Sequence, residues 1–154
     1  MKEIKLTQNK VALVDNSDFL ELNKHKWFAH FKNGWYAVRN ISKKGEQTQI
    51  KMHRVILDTP KNMQIDHIDG NGLNNQRKNL RICTNSQNQK NKGSYKNNTS
   101  GFKGVNWHKI HKKWNAKISV NGKRISLGDF STKEEAYQAY CIACAKYHGE
   151  FSKF

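Results

Sequence analysis

The sequence predicts an α+β protein built in two parts, and three features of it carry that prediction. The dipeptides Asn33-Gly34 and Asn121-Gly122 each divide a pair of stretches in which aromatic and β-branched residues alternate with polar ones. Asn-Gly between such stretches is a strong signal for a tight β-hairpin. From Ser131 onward the apolar period lengthens from two to nearly four, which marks a helix. Between the parts, residues 89–100 (QKNKGSYKNNTS) are polar, basic and poor in apolar side chains, the composition of a linker. The expected organisation is an N-terminal antiparallel β extension over residues 1–50, a short ββα hairpin module over 51–92, a basic linker over 93–100, and a small three-stranded antiparallel sheet packed on one helix over 101–154.

Each element has a local reason. KVALVD is a short β run, and the following DNSDFLELNKHKW is a helical turn with Asp15 or Ser17 as its cap. SKKGEQ is a second turn, and TQIKMHRVIL returns as a strand that passes into helix. Residues 57–64, with the single proline Pro60, form a loop. QIDH and LRICT are short strands on either side of a polar loop, and NSQNQKNK opens a helix capped by Thr84, Asn85 or Ser86. In the last part, GFKGVNWHKI, KWNAKISV and KRISLGDF are three strands. Ser131 with Glu134 fits a capping box. Ala136, Ala139, Tyr140, Ala143 and Tyr147 form the helix's apolar face, and Gly149 ends it.

Charge narrows the partners. The chain of 154 residues carries 28 Lys+Arg against 12 Asp+Glu, a formal net charge of +16. The excess is spread: 9 basic against 5 acidic residues in 1–50, 9 against 3 in 51–98, and 10 against 4 in 99–154. A distributed excess of this size favours a polyanion, and nucleic acid is the usual one. Mean hydropathy is −0.92, enough for small cores but not one large one. No apolar run approaches the roughly 20 residues that span a bilayer, and MKEIKLTQNK lacks the apolar centre of a secretory signal. Three cysteines make no disulfide framework, so a reducing cytoplasm is expected.

The chemistry concentrates in QIDHIDGNGLNNQRKNLRICTNSQNQ. Hydrolysis of a phosphodiester needs a group that takes a proton from water near neutral pH, and histidine is suited to that. It also needs charge stabilisation at the phosphate and the leaving oxygen, which a hard divalent cation with oxygen ligands supplies. Adjacent strand residues point to opposite faces. Asp66 and His67 therefore divide the work, Asp66 taking a cation and His67 a water, with the carbonyl of Asn88 on the helix as a second cation ligand. Asp69, Gly70, Asn71, Asn74 and Asn75 read as turn residues. Cys83 is alone, and Cys141 and Cys144 lie three apart within a helix, so core packing rather than structural zinc is expected of them.

DHIDGNGLNNQRKNL followed by TNSQNQ resembles the HNH endonucleases, in particular the phage and intron-encoded homing type. The resemblance implies a ββα-metal hairpin with His67 as the base, Asp66 and Asn88 as ligands of one Mg²⁺ or Mn²⁺ ion, and Asn79 as the catalytic-site residue that braces the hairpin. The upstream MHRVIL resembles the family's lead-in, and its His53 and Arg54 are expected to contact phosphate or support the structure. The segment from Ser100 to Phe151 resembles the AP2 DNA-binding domain through Gly104-Val105, Trp114, Ala116, Ile118, the LGDF turn and the Ala/Tyr-rich helix. That match implies a DNA-facing sheet lined by Lys103, Asn106, His108, Lys117, Ser119, Arg124 and Ser126, with Arg124 and Lys103 as the best candidates for guanine or phosphate. Strand alternation agrees, placing Trp114, Ala116, Ile118 and Val120 toward the helix and Asn115, Lys117 and Ser119 away from it. Lys112 and Lys113 sit in a turn and suit phosphate only.

Together these features predict a metal-dependent DNA endonuclease held on double-stranded DNA by its AP2-like sheet. It would leave 5′-phosphate and 3′-hydroxyl ends. A cytoplasmic monomer of a bacterium or phage-infected cell is expected, with no membrane or small-molecule partner. Two other readings share the charge pattern: a DNA-binding regulator in which the hairpin is only a scaffold, and an RNA-binding protein of ribosomal type.

Overall fold

The computed structural model describes residues 1–43, 45–91 and 98–152. The chain divides into two compact units, Met1–Asn85 and Ser86–Phe154. Most of the expected linker at 93–100, and Lys44 of the expected SKKGEQ turn, lie outside the described residues. Small antiparallel sheets and a few helices make up both units. Among the described residues, no helix is long and apolar enough to cross a membrane.

The first unit opens with a hairpin. β1 (Lys2–Lys5) pairs antiparallel with β2 (Val11–Val14), Lys2 opposite Val14. Helix α1 (Asn16–Asn23) follows, with Asp15 as its N-cap residue as expected. The Asp15 carboxylate does not bond the first turn but accepts from the backbone N–H of Arg77 at 2.7 Å, tying the helix start to a distant loop. β3 (Phe28–Phe31), β4 (Trp35–Lys43) and β5 (Glu46–Lys51) form a meander. Its first turn is the expected Asn33-Gly34, with φ of 54° and 140°. Asparagine and glycine supply those positive values at low steric cost.

Strand β5 runs directly into α2 (Met52–Leu57), which ends at Asp58 in a left-handed conformation. β6 (Gln64–His67) and β7 (Leu80–Cys83) form a second antiparallel hairpin, and α3 (Asn85–Asn91) follows. Ile4, Ala12, Val14, Leu22, Trp27, Ala37, Met52, Ile56, Ile65 and Leu80 make one core. Strands, helices and the hairpin thus share one apolar centre, at about 1.5–3 kcal/mol for each large aliphatic side chain removed from water. Trp27 keeps its indole N–H satisfied inside that core by donating to the Leu22 carbonyl at 2.8 Å.

The second unit is a sheet on a helix. β8 (Val105–His108), β9 (Lys113–Val120) and β10 (Lys123–Phe130) lie in the order β10-β9-β8, all antiparallel. Asn121 and Gly122, at φ 49° and 79°, turn β9 into β10 as predicted. Ile118, Tyr140, Ala143 and Cys144 pack between the sheet and α4 (Lys133–His148), and Val105, Ala116 and Ala136 extend that core. Gly104 is required where it stands. A Cβ there would lie 2.2 Å from the Tyr140 ring and 2.9 Å from the Lys117 carbonyl, at φ +77°.

Three expectations in this unit are corrected. The capping box is Thr132 with Glu135, not Ser131 with Glu134: Thr132 Oγ1 accepts from Glu135 N–H at 3.2 Å and Glu135 returns to Thr132 N–H at 3.2 Å. The helix buries Ala136, Tyr140, Ala143, Cys144 and His148, while Tyr147, expected on that face, is 39% exposed. Asn115 does point away from the helix but is buried, because its amide donates to Asp129 Oδ1 at 2.6 Å and to the Gly128 carbonyl at 3.1 Å. Gly149 ends α4 at φ 53°, as expected.

Candidate functional site

The register of the β6–β7 hairpin sets the site. Asp66 stands opposite Arg81 and His67 opposite Leu80. As strand alternation requires, the two neighbours part company. Asp66 turns to Arg81, whose Nε and Nη2 donate to a single carboxylate oxygen, Oδ2, at 2.9 and 2.7 Å. The pair is buried, with side-chain exposures of 12% and 7% for Arg81 and Asp66. His67 turns to the other side, where its ring meets His53 at a centroid distance of 5.0 Å and Tyr36 at 6.0 Å.

Three separate elements build this aromatic pocket: Tyr36 from β4, His53 from α2 and His67 from the end of β6. Tyr36 touches both imidazoles, at 6.0 Å from each. The loop after β6 closes over it so tightly that a Cβ on Gly72 would lie 2.4 Å from the Trp35 carbonyl and 2.7 Å from the Tyr36 ring. Burial therefore controls the chemistry of both histidines. It drives His53 down to about 2, aided by the neighbouring His67, Lys51 and Arg54 charges. It also lowers His67, though the Asn75 side chain, Asp69 and Asp66 pull the other way. An imidazole lowered in this way is unprotonated at neutral pH and can accept a proton.

The loop between the strands is held by carboxamides. Asn79, in a 3₁₀ turn over Arg77–Asn79 before β7, is buried. Its Oδ1 accepts from Asp69 N–H at 3.1 Å, and its Nδ2 donates to Asp69 Oδ1 at 3.0 Å and to the Asn74 carbonyl at 2.8 Å. These bonds tie Asp69 and Asn74 of the loop to the start of β7. Burial acts to raise the Asp69 carboxyl, but hydrogen bonds from Asn74, Asn71 and Asn79 outweigh it and hold it below the usual carboxylate range. Asn75 is more than the turn residue the sequence suggested. It is 1% exposed, its N–H donates to Leu13 O at 2.8 Å, and its Nδ2 donates to Leu73 O at 3.1 Å. With Leu13 N–H donating to Leu73 O at 2.9 Å, these bonds lock the loop to β2.

His53 and Arg54 sit where the fold uses them. His53 is 5% exposed, inside the pocket rather than on a surface. Arg54 Nη2 donates to the Met63 carbonyl at 2.7 Å, and Nη1 to those of Thr59 and Pro60 at 3.3 and 3.4 Å. Arg54 thereby closes the loop that leads from α2 into β6. Asn88 is half-buried in the second turn of α3, beyond the boundary between the units. Sequence reasoning missed Tyr36, Asn75 and Arg81. Only the last carried a signal, as a basic residue on the strand paired with that of Asp66.

The second unit supplies a polar sheet face. Asn106, Lys117, Ser119, Arg124 and Ser126 are exposed, with Arg124 opposite Ser119 and Ser126 opposite Lys117. The intervening Ile118 and Ile125 face the helix. Lys103, Asn106, Lys117, Ser119 and Arg124 line one concave surface of about 660 Å³. Lys103 is half-buried there and donates to the Lys90 carbonyl at 2.6 Å. His108 stands apart at the end of β8: its ring stacks on His111 at 4.1 Å, and its Nδ1 accepts from His111 N–H at 3.2 Å. Trp107 is 45% exposed and meets Trp114 edge to face at 5.1 Å. Cys144 is buried against His148, Sγ to Nδ1 3.3 Å, and His148 Nε2 reaches the Ser119 carbonyl at 3.0 Å.

Comparison with known proteins agrees with both halves of this arrangement. The HNH endonuclease family model matches residues 58–90, and the AP2 domain model matches residues 100–150. Protein 3.8 of Escherichia phage T7 is 36% identical over 95 residues, 62% of this chain and 78% of that protein. The uncharacterized HNH endonuclease L560 of Acanthamoeba polyphaga mimivirus is 31% identical over 138 residues, 85% of this chain and 67% of that protein. The AP2-like ethylene-responsive transcription factor AIL5 of Arabidopsis thaliana is 44% identical over 52 residues, 32% of this chain and 9% of that protein. No solved structure gives a significant match. With His67 and Asn79 inside the matched HNH segment, and a relative of the same family aligned along most of its length, the chain belongs to the HNH endonuclease family and carries an AP2 domain.

Proposed function

We propose that the protein is a metal-dependent DNA endonuclease that cuts through the β6–β7 site and holds its substrate with the exposed face of the AP2 sheet. The single observation that carries this reading is the buried His67, lowered by burial and braced from two sides by Tyr36 and His53. A neutral imidazole held in such a pocket suits proton transfer.

Asp66 fits a hard divalent cation. It is an oxygen donor, 6% exposed, and its carboxylate is engaged by Arg81, so an ion there would share or displace that guanidinium. Asp66 would hold the Mg²⁺ or Mn²⁺ ion, and Asn88 is the second oxygen ligand that the family resemblance implies. When bound, the ion supplies charge stabilisation at the phosphate and the leaving oxygen. His67 accepts a proton from the attacking water, whose oxygen bonds to phosphorus as the P–O3′ bond breaks. The departing O3′ takes up a proton, giving 5′-phosphate and 3′-hydroxyl ends. Asn79 holds the loop that bounds this site, through its bonds to Asp69 and Asn74.

The basic, polar sheet face suits the major groove, which admits a small β-ribbon and offers base edges to Arg, Asn and Ser. The phage and giant-virus relatives support a homing-type or virus-encoded role. The test is cleavage of phage or plasmid DNA by the full chain in Mg²⁺ or Mn²⁺, with EDTA and His67→Ala as controls. Cutting that EDTA and His67→Ala both abolish supports the reading. A wild-type protein that shifts DNA on a gel but never cuts it is instead a DNA-binding regulator.

A further inference from the structure

We propose that Lys51 is a substrate-binding residue of the nuclease site, its ammonium gripping a non-bridging oxygen of the DNA phosphodiester beside His67. The inference rests on the nuclease reading above and deepens it. Lys51 is the last residue of β5, immediately before α2. Its Nζ lies over the Tyr36 ring, 4.5 Å from the centroid, and that ring is 6.0 Å from the imidazole of His67. One aromatic side chain therefore carries the ammonium on its face and lies next to the proposed base, the two rings tilted at 57°.

The ammonium is held there without an acidic partner among the described residues. Desolvation first, and then the neighbouring cations Arg54 and Lys32, hold Lys51 below the usual lysine range. Arg54 cannot relieve this, because its guanidinium is spent on the Thr59, Pro60 and Met63 carbonyls. Lys51 is itself exposed, so solvent and a ligand can reach the ammonium where it lies on the ring. Beside two cations and with no acidic partner among the described residues, it is a positive charge open to an anion from solution. A compact ammonium with three rotatable donors suits a phosphate oxygen, and the DNA backbone is the anion this site handles.

The experiment compares wild type, Lys51→Met and Lys51→Arg as full chains in three measurements. Thermal unfolding without DNA or metal should leave Lys51→Met as stable as wild type or more so, since the methionine keeps the apolar stem and removes the repelled charge. DNA affinity in EDTA, titrated against salt, should lose about one counterion from its log–log slope in Lys51→Met and regain it in Lys51→Arg. Cleavage at saturating DNA should fall about tenfold to a hundredfold in Lys51→Met. A Lys51→Met protein that melts several degrees lower has lost a structural group, and the proposal is wrong. An unchanged salt slope also overturns it. If wild type does not cut at all, the nuclease reading fails, yet the slope in EDTA still decides whether Lys51 meets phosphate.

Discussion

The imidazole of His53 meets that of His67 edge to face, 5.0 Å between ring centroids, and both rings are buried. Two histidines this close cannot both carry charge cheaply. The contact makes His53 the neutral wall of the pocket around His67.

Acid should therefore loosen the first unit. His53 falls from the ordinary 6.5 to about 2 on folding. Its folded value lies below its unfolded value, so between them the unfolded chain binds the extra proton. The stability it contributes is fully present above pH 6.5 and is lost as the pH falls toward 2. Each unit within that window costs about 1.4 kcal/mol at most for one fully linked proton. Urea midpoints at pH 7.5, 6.0 and 5.0 should decline in that order. His53→Gln should flatten the decline, and a wild-type midpoint independent of pH would refute the linkage.

Asn79→Ala should weaken both the fold and the site. It removes the acceptor for Asp69 N–H and the donor to Asp69 Oδ1 and Asn74 O. A buried donor or acceptor left unmet costs about 1–3 kcal/mol, so a loss of roughly 2 kcal/mol is expected in denaturant titration. Cleavage should fall with it, since the loop from Asp69 to Asn75 borders His67. Retention of wild-type stability would mean that the loop is held by the backbone alone.

Much of this was legible beforehand, and the limits have physical causes. Hairpins at Asn33-Gly34 and Asn121-Gly122 were readable because those dipeptides supply the positive φ that the turns need. The helix start slipped by one because Ser131-Thr132 and Glu134-Glu135 offer two overlapping capping boxes, and only backbone geometry chooses between them. The last turn of the helix buries Cys144 and His148 and leaves Tyr147 39% exposed, a choice set by packing on the sheet. The hairpin that carries His67 and the loop that carries Asn79 were legible as two short strands around a polar stretch. Tyr36 was not, since it reaches His67 only through the packing of the meander against that hairpin. The pairing of Arg81 with Asp66 depends on strand register, and a shift of one residue would have sent Arg81 to the other face.

Arg81→Met should be strongly destabilising and responsive to metal. Removing one partner of a buried ion pair leaves an uncompensated charge, at about 3–5 kcal/mol. Asp66 would be that charge. Adding Asp66→Asn to Arg81→Met should recover part of the loss, because the orphaned carboxylate is gone. If Asp66 takes a cation, Mg²⁺ should raise the melting temperature of Arg81→Met more than that of wild type. An equal response in both would argue that Asp66 serves Arg81 and no ion.

On the sheet, Arg124 and Lys117 should prove unequal. Both are exposed on the same face, one strand apart. Lys103, the other candidate for base contact, is already engaged with the Lys90 carbonyl, which leaves Arg124 as the side chain with reach and a planar fork for guanine. Arg124→Ala should cost about 1–3 kcal/mol on the preferred site and much less on unrelated DNA, flattening discrimination. Lys117→Ala should weaken binding to every sequence alike and lower the salt slope by about one. Gel-shift titrations on a mapped cleavage site and on scrambled DNA, each at several salt concentrations, separate the two roles. If both variants behave as phosphate contacts do, the sheet holds DNA without reading it, and site choice must come from the nuclease unit.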